Sequence, residues 1–169
     1  MWNDTDTPIA FFVSFRTYGT WLHGDERGSI DRFHNAYRSP YVEPNEKWLE
    51  YNRAKLKSPP FKLNAQARKV VEASVRNVCE YRGWHLYALN VRTNHAHSVV
   101  HNSGQSSISV LNAFKAYATR DLRKEGCWTY DHSPWADKGS RRRIWNERGL
   151  QAVIDYVVKG QGGPLPDFD

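Results

Sequence analysis

The alternation of apolar and polar positions divides the chain into short segments. Ile9 to Phe15 (IAFFVSF) is an almost unbroken apolar run rich in β-formers, the pattern of a central strand buried on both faces. Asn64 to Arg82 carries Ala67, Val70, Val71, Ser74, Val75, Val78 and Tyr81 at helical spacing, with Asn64 placed to cap the start and Gly83 the end. Trp84 to Thr93 and His95 to His101 read as two strands. The short link Arg92-Thr93-Asn94 between them implies an antiparallel hairpin. Ser107 to Lys124 is a second helix, with Ile108, Leu111, Phe114, Ala118 and Leu122 as its apolar stripe. A fourth strand falls at Arg141 to Trp145, and Glu147 to Lys159 forms a last helix.

In that last helix Leu150, Val153, Ile154, Val157 and Val158 make one stripe. At about 100° per residue, Tyr156 projects roughly 130° from its centre. It shares its own side with Gly149, Ala152 and Gly160, small residues that leave room for a ligand. An exposed tyrosine without a role fits the same pattern. Between the first strand and the first long helix, from about residue 22 to 62, the chain is irregular, rich in proline and charge, with a short helix expected from Asn45 to Leu56. A connection this long is often functional. Its His23, Asp25 and Glu26 are either site residues or loop surface.

Composition narrows the classes. A chain of 169 residues suits one domain spanning 1–169 with a sizeable core. The formal net charge of +6 and a pI near 9.4 point to a polyanionic partner, nucleic acid first. Aromatics make up 14% of the chain, seven of them Trp, and interleave with Arg and Lys in a way that suits both base stacking and core packing. Cys79 and Cys127 lack metal-knuckle spacing. No apolar run is long enough to span a membrane and no leader pattern opens the chain, so a cytoplasmic, nucleoid-associated protein is expected.

The chemistry concentrates at Asn94-His95-Ala96-His97. On a strand, residues i and i+2 share a face, so His95 and His97 project together while Ala96 points the other way. Two adjacent imidazoles on a rigid strand are the start of a divalent-metal site, or else two polar residues on a solvated face. Lys115, Arg120, Arg123 and Lys124 lie off the second helix's stripe and form either a basic edge for phosphates or plain solvated surface. Arg141, Arg142 and Arg143 are further phosphate candidates, although alternation on a strand prevents all three from facing one ligand.

The element order gives an α+β, ferredoxin-like (RRM-like) βαββαβ sandwich with an antiparallel sheet and an extra C-terminal helix. With His95-Ala96-His97 on the third strand and Tyr156 on the final helix, the chain resembles the single-tyrosine HUH transposases, including the REP-associated tyrosine transposases. The stretch from Phe12 to Asp25 and the closing IDYVVKGQGGP share that likeness. The resemblance implies that His95 and His97 bind a metal, Mg²⁺ or Mn²⁺, and that Tyr156 is the nucleophile. The family draws a third ligand, often Gln or Asn, from just after the tyrosine. The residue four after Tyr156 is Gly160, a departure, and Gln161 is the nearest replacement. The resemblance further implies a single-stranded DNA endonuclease and strand transferase that acts on single-stranded or hairpin DNA through a 5′-phosphotyrosine intermediate. Lys159 is placed to stabilise the phenolate, and the active form is a homodimer or a monomer.

Two other classes fit parts of the pattern. A non-catalytic nucleic-acid-binding domain would share the sheet but needs no paired histidines. A rolling-circle replication initiator or relaxase shares the histidine chemistry but usually sits in a longer chain.

Overall fold

The computed structural model describes residues 7–20 and 45–160. Its elements run β1 (Ala10–Arg16), α1 (Glu46–Ala54), α2 (Ala65–Arg82), β2 (Leu86–Val91), β3 (His95–His101), α3 (Ser107–Lys124), β4 (Ser140–Ile144) and α4 (Glu147–Lys159). His23, Asp25, Glu26 and Gln161 lie outside the described residues.

The four strands form one sheet in the order β2-β3-β1-β4, with every neighbouring pair antiparallel. This is the α+β, ferredoxin-like arrangement expected from the pattern of the chain. β1 is central, and its alternation sorts the two layers. Phe11, Val13 and Phe15 join Ala96 and Val100 in the larger core beneath α2 and α3. Ala10 and Phe12 join Ala88, Val99 and Ile144 in a smaller core closed by Leu150 and Val157 of α4. Phe15, Phe114 and Val157 are among the side chains with essentially no solvent exposure. Each such burial contributes roughly 1.5–3 kcal/mol. α4 is therefore held to its face of the sheet mainly by apolar packing.

Local signals set the boundaries. The side chains of Asn64, Ser106 and Asn146 accept from the backbone N–H groups of Ala67, Ser109 and Gly149, capping α2, α3 and α4. Gly83 ends α2 in the left-handed region at φ 70°, and the Trp84 N–H then donates to the Cys79 carbonyl. That bond explains why β2 starts at Leu86 rather than Trp84: the backbone of Trp84 is committed to the helix cap. At the other end the Arg92 N–H donates to the His95 carbonyl and closes the three-residue hairpin link.

Three stripe assignments differ from the sequence expectation. Tyr81 is 82% exposed, and Val78 and Cys79 are the buried residues in the last turns of α2. Val110 replaces Ile108 as the first buried position of α3, and Ile108 is exposed. Val158 is exposed, since Leu150 and Val157 define the buried line of α4, with Val153 and Ile154 packed beside them. α1 has no buried residue. Among the described residues, no helix is long and apolar enough to cross a membrane.

Candidate active site between β3 and α4

His95 and His97 leave β3 on the side covered by α4, and Ala96 between them is fully buried in the opposite core. The two imidazole centroids are 4.6 Å apart. Each ring is fixed through Nδ1. The His95 Nδ1 is 2.7 Å from Asn94 Oδ1, an atom that only accepts, so Nδ1 carries the proton and Nε2 the lone pair. The His97 Nδ1 is 2.5 Å from Ser14 Oγ, the residue opposite it in the β1–β3 register. That hydroxyl can accept from Nδ1 and leave the His97 lone pair on Nε2, the form a metal ligand needs. Burial and then the neighbouring His95 push the His97 pKa down to about 4, so the ring is neutral at physiological pH. Neutral imidazoles oriented through Nδ1 are the form in which histidine ligates metals.

Among the described residues, no group of three His, Cys, Asp or Glu stands together that could hold a metal. The donor set in view is two imidazoles on a half-buried sheet face. These fit a divalent ion that takes its remaining ligands from water, DNA phosphate or a further side chain.

Tyr156 lies across from this pair. It is 48% exposed, although it belongs to a helix packed on the sheet. Its ring centroid is 5.9 Å from that of His97. Phe12, from β1, stands between the two elements, 5.3 Å from His97 and edge-on to Tyr156 at 6.1 Å. The turn that bears Tyr156 is tied to the sheet by Asn90, whose side-chain N–H donates to the Val157 carbonyl at 2.9 Å. Asn90 faces His97 in the β2–β3 register. One end of the helix is thus pinned beside the histidines by a polar bond as well as by apolar packing. Gly160 follows at the close of the helix. A Cβ built there would come within 2.8 Å of both the Tyr156 ring and its carbonyl oxygen.

The basic candidates separate by face. Arg142 pairs with Phe12 and shares the histidine face, its guanidinium 5.9 Å from the Phe12 ring centroid. Arg141 alternates to the other side, where it donates to Ser107 Oγ, and Arg143 alternates with it. Lys115, Arg120, Arg123 and Lys124 belong to α3, beneath the opposite face. The Lys115 ammonium donates to the Ala136 and Lys138 carbonyls, and burial holds its pKa below the usual value. Arg123 donates to the carbonyls of Tyr130, Asp131 and His132, and Arg120 sits over Tyr117 and pairs with Asp121. Lys124 is exposed, as is Lys159 in the last turn of α4. Ser14 and Asn90 were not singled out in the sequence, and the roles of Phe12 and Asn94 beside the histidines were not read from it. Ser14, a lone hydroxyl in an otherwise apolar strand, was the visible clue to the first pair.

The chain belongs to the IS200-like transposase family: the family model described as "Transposase IS200 like" matches residues 55–148. The match includes His95 and His97 and ends before Tyr156. Among solved structures the chain is similar to a REP-associated tyrosine transposase bound to a REP hairpin. The identity is 14%, over 92% of this chain and 70% of that one, with a TM-score of 0.51. That likeness is one of fold. A candidate transposase from Deinococcus radiodurans R1 aligns over 97% of this chain and 98% of its own, at 12% identity and a TM-score of 0.47. No curated protein matches the chain.

Proposed function

We propose that the protein is a metal-assisted tyrosine strand transferase acting on single-stranded or hairpin DNA. The observation that carries this reading is the placement of Tyr156, exposed yet with its ring centroid 5.9 Å from that of His97. A phenol there can reach a phosphate lying against the two imidazoles.

In this scheme His95 and His97 hold a Mg²⁺ or Mn²⁺ ion, which supplies Lewis-acid polarisation of the phosphate oxygens. Gln161 is the proposed further ligand. Asn94 keeps His95 in its ligating tautomer and Ser14 orients the His97 ring. The Tyr156 oxygen attacks phosphorus in line, the bond from phosphorus to the 3′ oxygen breaks, and a 5′-phosphotyrosine is left. The proton lost by the phenol is balanced, through solvent, by the one the departing 3′ oxygen takes up. Lys159, in the last turn of α4, is a further proposed contact for the DNA backbone near the site. Attack of a 3′-OH on the phosphotyrosine rejoins strands and regenerates the phenol, so no nucleotide hydrolysis is needed. Arg142 is the basic residue best placed to steady the DNA backbone beside the site. Lys115, Arg120, Arg123, Lys124, Arg141 and Arg143 are proposed for more distant DNA contact, with Lys115 and Arg123 already engaged by backbone carbonyls.

A purely binding module of the RNA-recognition type stacks bases on the open face of its sheet. Here α4 covers that face and the residues under its end are histidines, which favours chemistry over stacking.

The test is a denaturing gel of the protein with labelled DNA hairpins and Mg²⁺ or Mn²⁺, run beside Tyr156→Phe. A metal-dependent covalent adduct that is absent in the variant is the expected result. An adduct that persists in Tyr156→Phe, or hairpins bound but never joined to protein, sinks the assignment.

A further inference from the structure

A cavity of about 200 Å³ opens between β4 and the first half of α4, lined by Phe12, Arg142, Ile144, Trp145, Gly149 and Val153 among others. It is smaller than the 300–1,000 Å³ typical of sites for drug-sized ligands, so it suits one planar ring system. Its floor is apolar, since Phe12 and Ile144 are almost fully buried. Its rim is aromatic and cationic: Trp145 is 45% exposed, and Arg142 approaches the Phe12 ring.

Its position is the telling feature. Gly149, Val153 and Tyr156 are spaced i, i+4, i+7 and so lie on one line of α4. Val153 is only about 4.5 Å along the helix axis from Tyr156. On the sheet side, the Phe12 ring that walls the cavity is the same ring that touches His97 and Tyr156. Gly149 keeps the near wall low, because it presents no side chain towards the opening.

We propose that this cavity is a base-binding subsite, which takes the nucleobase of the single-stranded DNA residue next to the phosphate offered to Tyr156. Trp145 supplies the stacking face and Arg142 the charge that complements the adjoining phosphate. The proposal rests on the strand-transfer reading and adds to it a place where the protein itself holds a base beside the reacting bond.

The test uses Tyr156→Phe protein, which binds without reacting, and short oligothymidylate or oligodeoxyadenylate. Trp145→Ala in that background should weaken binding about tenfold, as expected for loss of one base–aromatic stack. An abasic deoxyribose-phosphate oligomer of the same length should bind both proteins alike. Independently, with the cavity intact, photocrosslinking of an oligomer carrying 5-bromodeoxyuridine should map to Trp145 or Phe12. Crosslinks found only elsewhere, or an equal loss of affinity for the abasic oligomer, would overturn the subsite. A complete lack of binding to these oligomers would overturn it as well. The adduct assay on the wild-type protein is scored separately. Adduct formation with a failed subsite test therefore removes this proposal alone, and absence of both removes the strand-transfer reading with it.

Discussion

The side-chain amide of Asn90 donates to the backbone carbonyl of Val157 at 2.9 Å, and so fastens the turn that carries Tyr156 to the strand position facing His97. Val157 is fully buried and Tyr156, its neighbour, is half exposed. The bond thus fixes the height of the phenol above the histidines without covering it.

Asn90→Leu keeps a similar volume and removes the donor. A single such hydrogen bond contributes about 1 kcal/mol to stability, so the fold should survive. Misplacing a reacting group by an ångström can cost up to about 10²-fold in rate. The expected outcome is adduct formation slowed by about tenfold or more at saturating DNA, with the affinity of the Tyr156→Phe background for the same DNA unchanged. Single-turnover rates measured against binding curves would separate the two quantities. A loss of affinity without a loss of rate would make Asn90 a DNA contact rather than a positioning residue.

Gly160 is constrained by the same tyrosine. A Cβ there meets the Tyr156 ring and carbonyl at 2.8 Å, closer than real Cβ contacts. Its φ of −86° is open to any residue, so the obstacle is the Tyr156 ring and carbonyl and not the backbone angle at residue 160. Gly160→Ala must push Tyr156 away from its place beside Phe12 and His97. The adduct rate should fall by about 10²-fold, with little change in thermal midpoint. An alanine variant of wild-type rate would show that the ring moves freely during the reaction.

Periodicity made most of this fold legible. The helix from 64 to 82 carried both its caps and its apolar line in the sequence, the helix from 107 to 124 carried its apolar line, and the pairing of His95 with His97 follows from strand alternation alone. The exposure of Tyr156 was readable because it breaks the stripe of its helix. Tyr81, Ile108 and Val158 misled because an apolar residue near the edge of a stripe is indistinguishable, in sequence, from one at its centre. The roles of Phe12, Ser14 and Asn90 beside the histidines were not legible for a different reason. Their roles depend on cross-strand register and on which face α4 covers, and neither is written in local spacing.

Burial raises the Cys79 thiol from its ordinary value of 9.0 to about 11, against a smaller opposing effect of Arg76. The folded state therefore holds this proton when the unfolded chain has released it. The resulting stability is fully present below pH 9 and is lost as the pH rises towards 11. Urea unfolding between pH 8 and 11 should show a declining midpoint, with a shallower decline in Cys79→Ala. At pH 8 a thiol reagent should titrate the partly exposed Cys127 first and reach Cys79 only on unfolding. Prompt modification of both thiols in the native protein would contradict the burial of Cys79.

Ser14 makes the metal assignment testable apart from catalysis. Its hydroxyl is 2.5 Å from the His97 Nδ1 and so holds the tilt of that ring. Partners of this kind typically affect metal affinity by 10–100-fold when removed. Mn²⁺ binding, followed by electron paramagnetic resonance on Tyr156→Phe protein without DNA, should weaken by about that factor in Ser14→Ala. It should disappear in His97→Ala, which deletes the donor itself. Ser14→Thr, which keeps the hydroxyl on a strand that favours β-branched residues, should restore most of the affinity. If Mn²⁺ binds the Ser14→Ala and His97→Ala proteins as tightly as the parent, the ion is held elsewhere and the paired imidazoles have another purpose. If Ser14→Ala alone is silent, the histidines are ligands whose orientation is set by β3 and by Asn94 without help from β1.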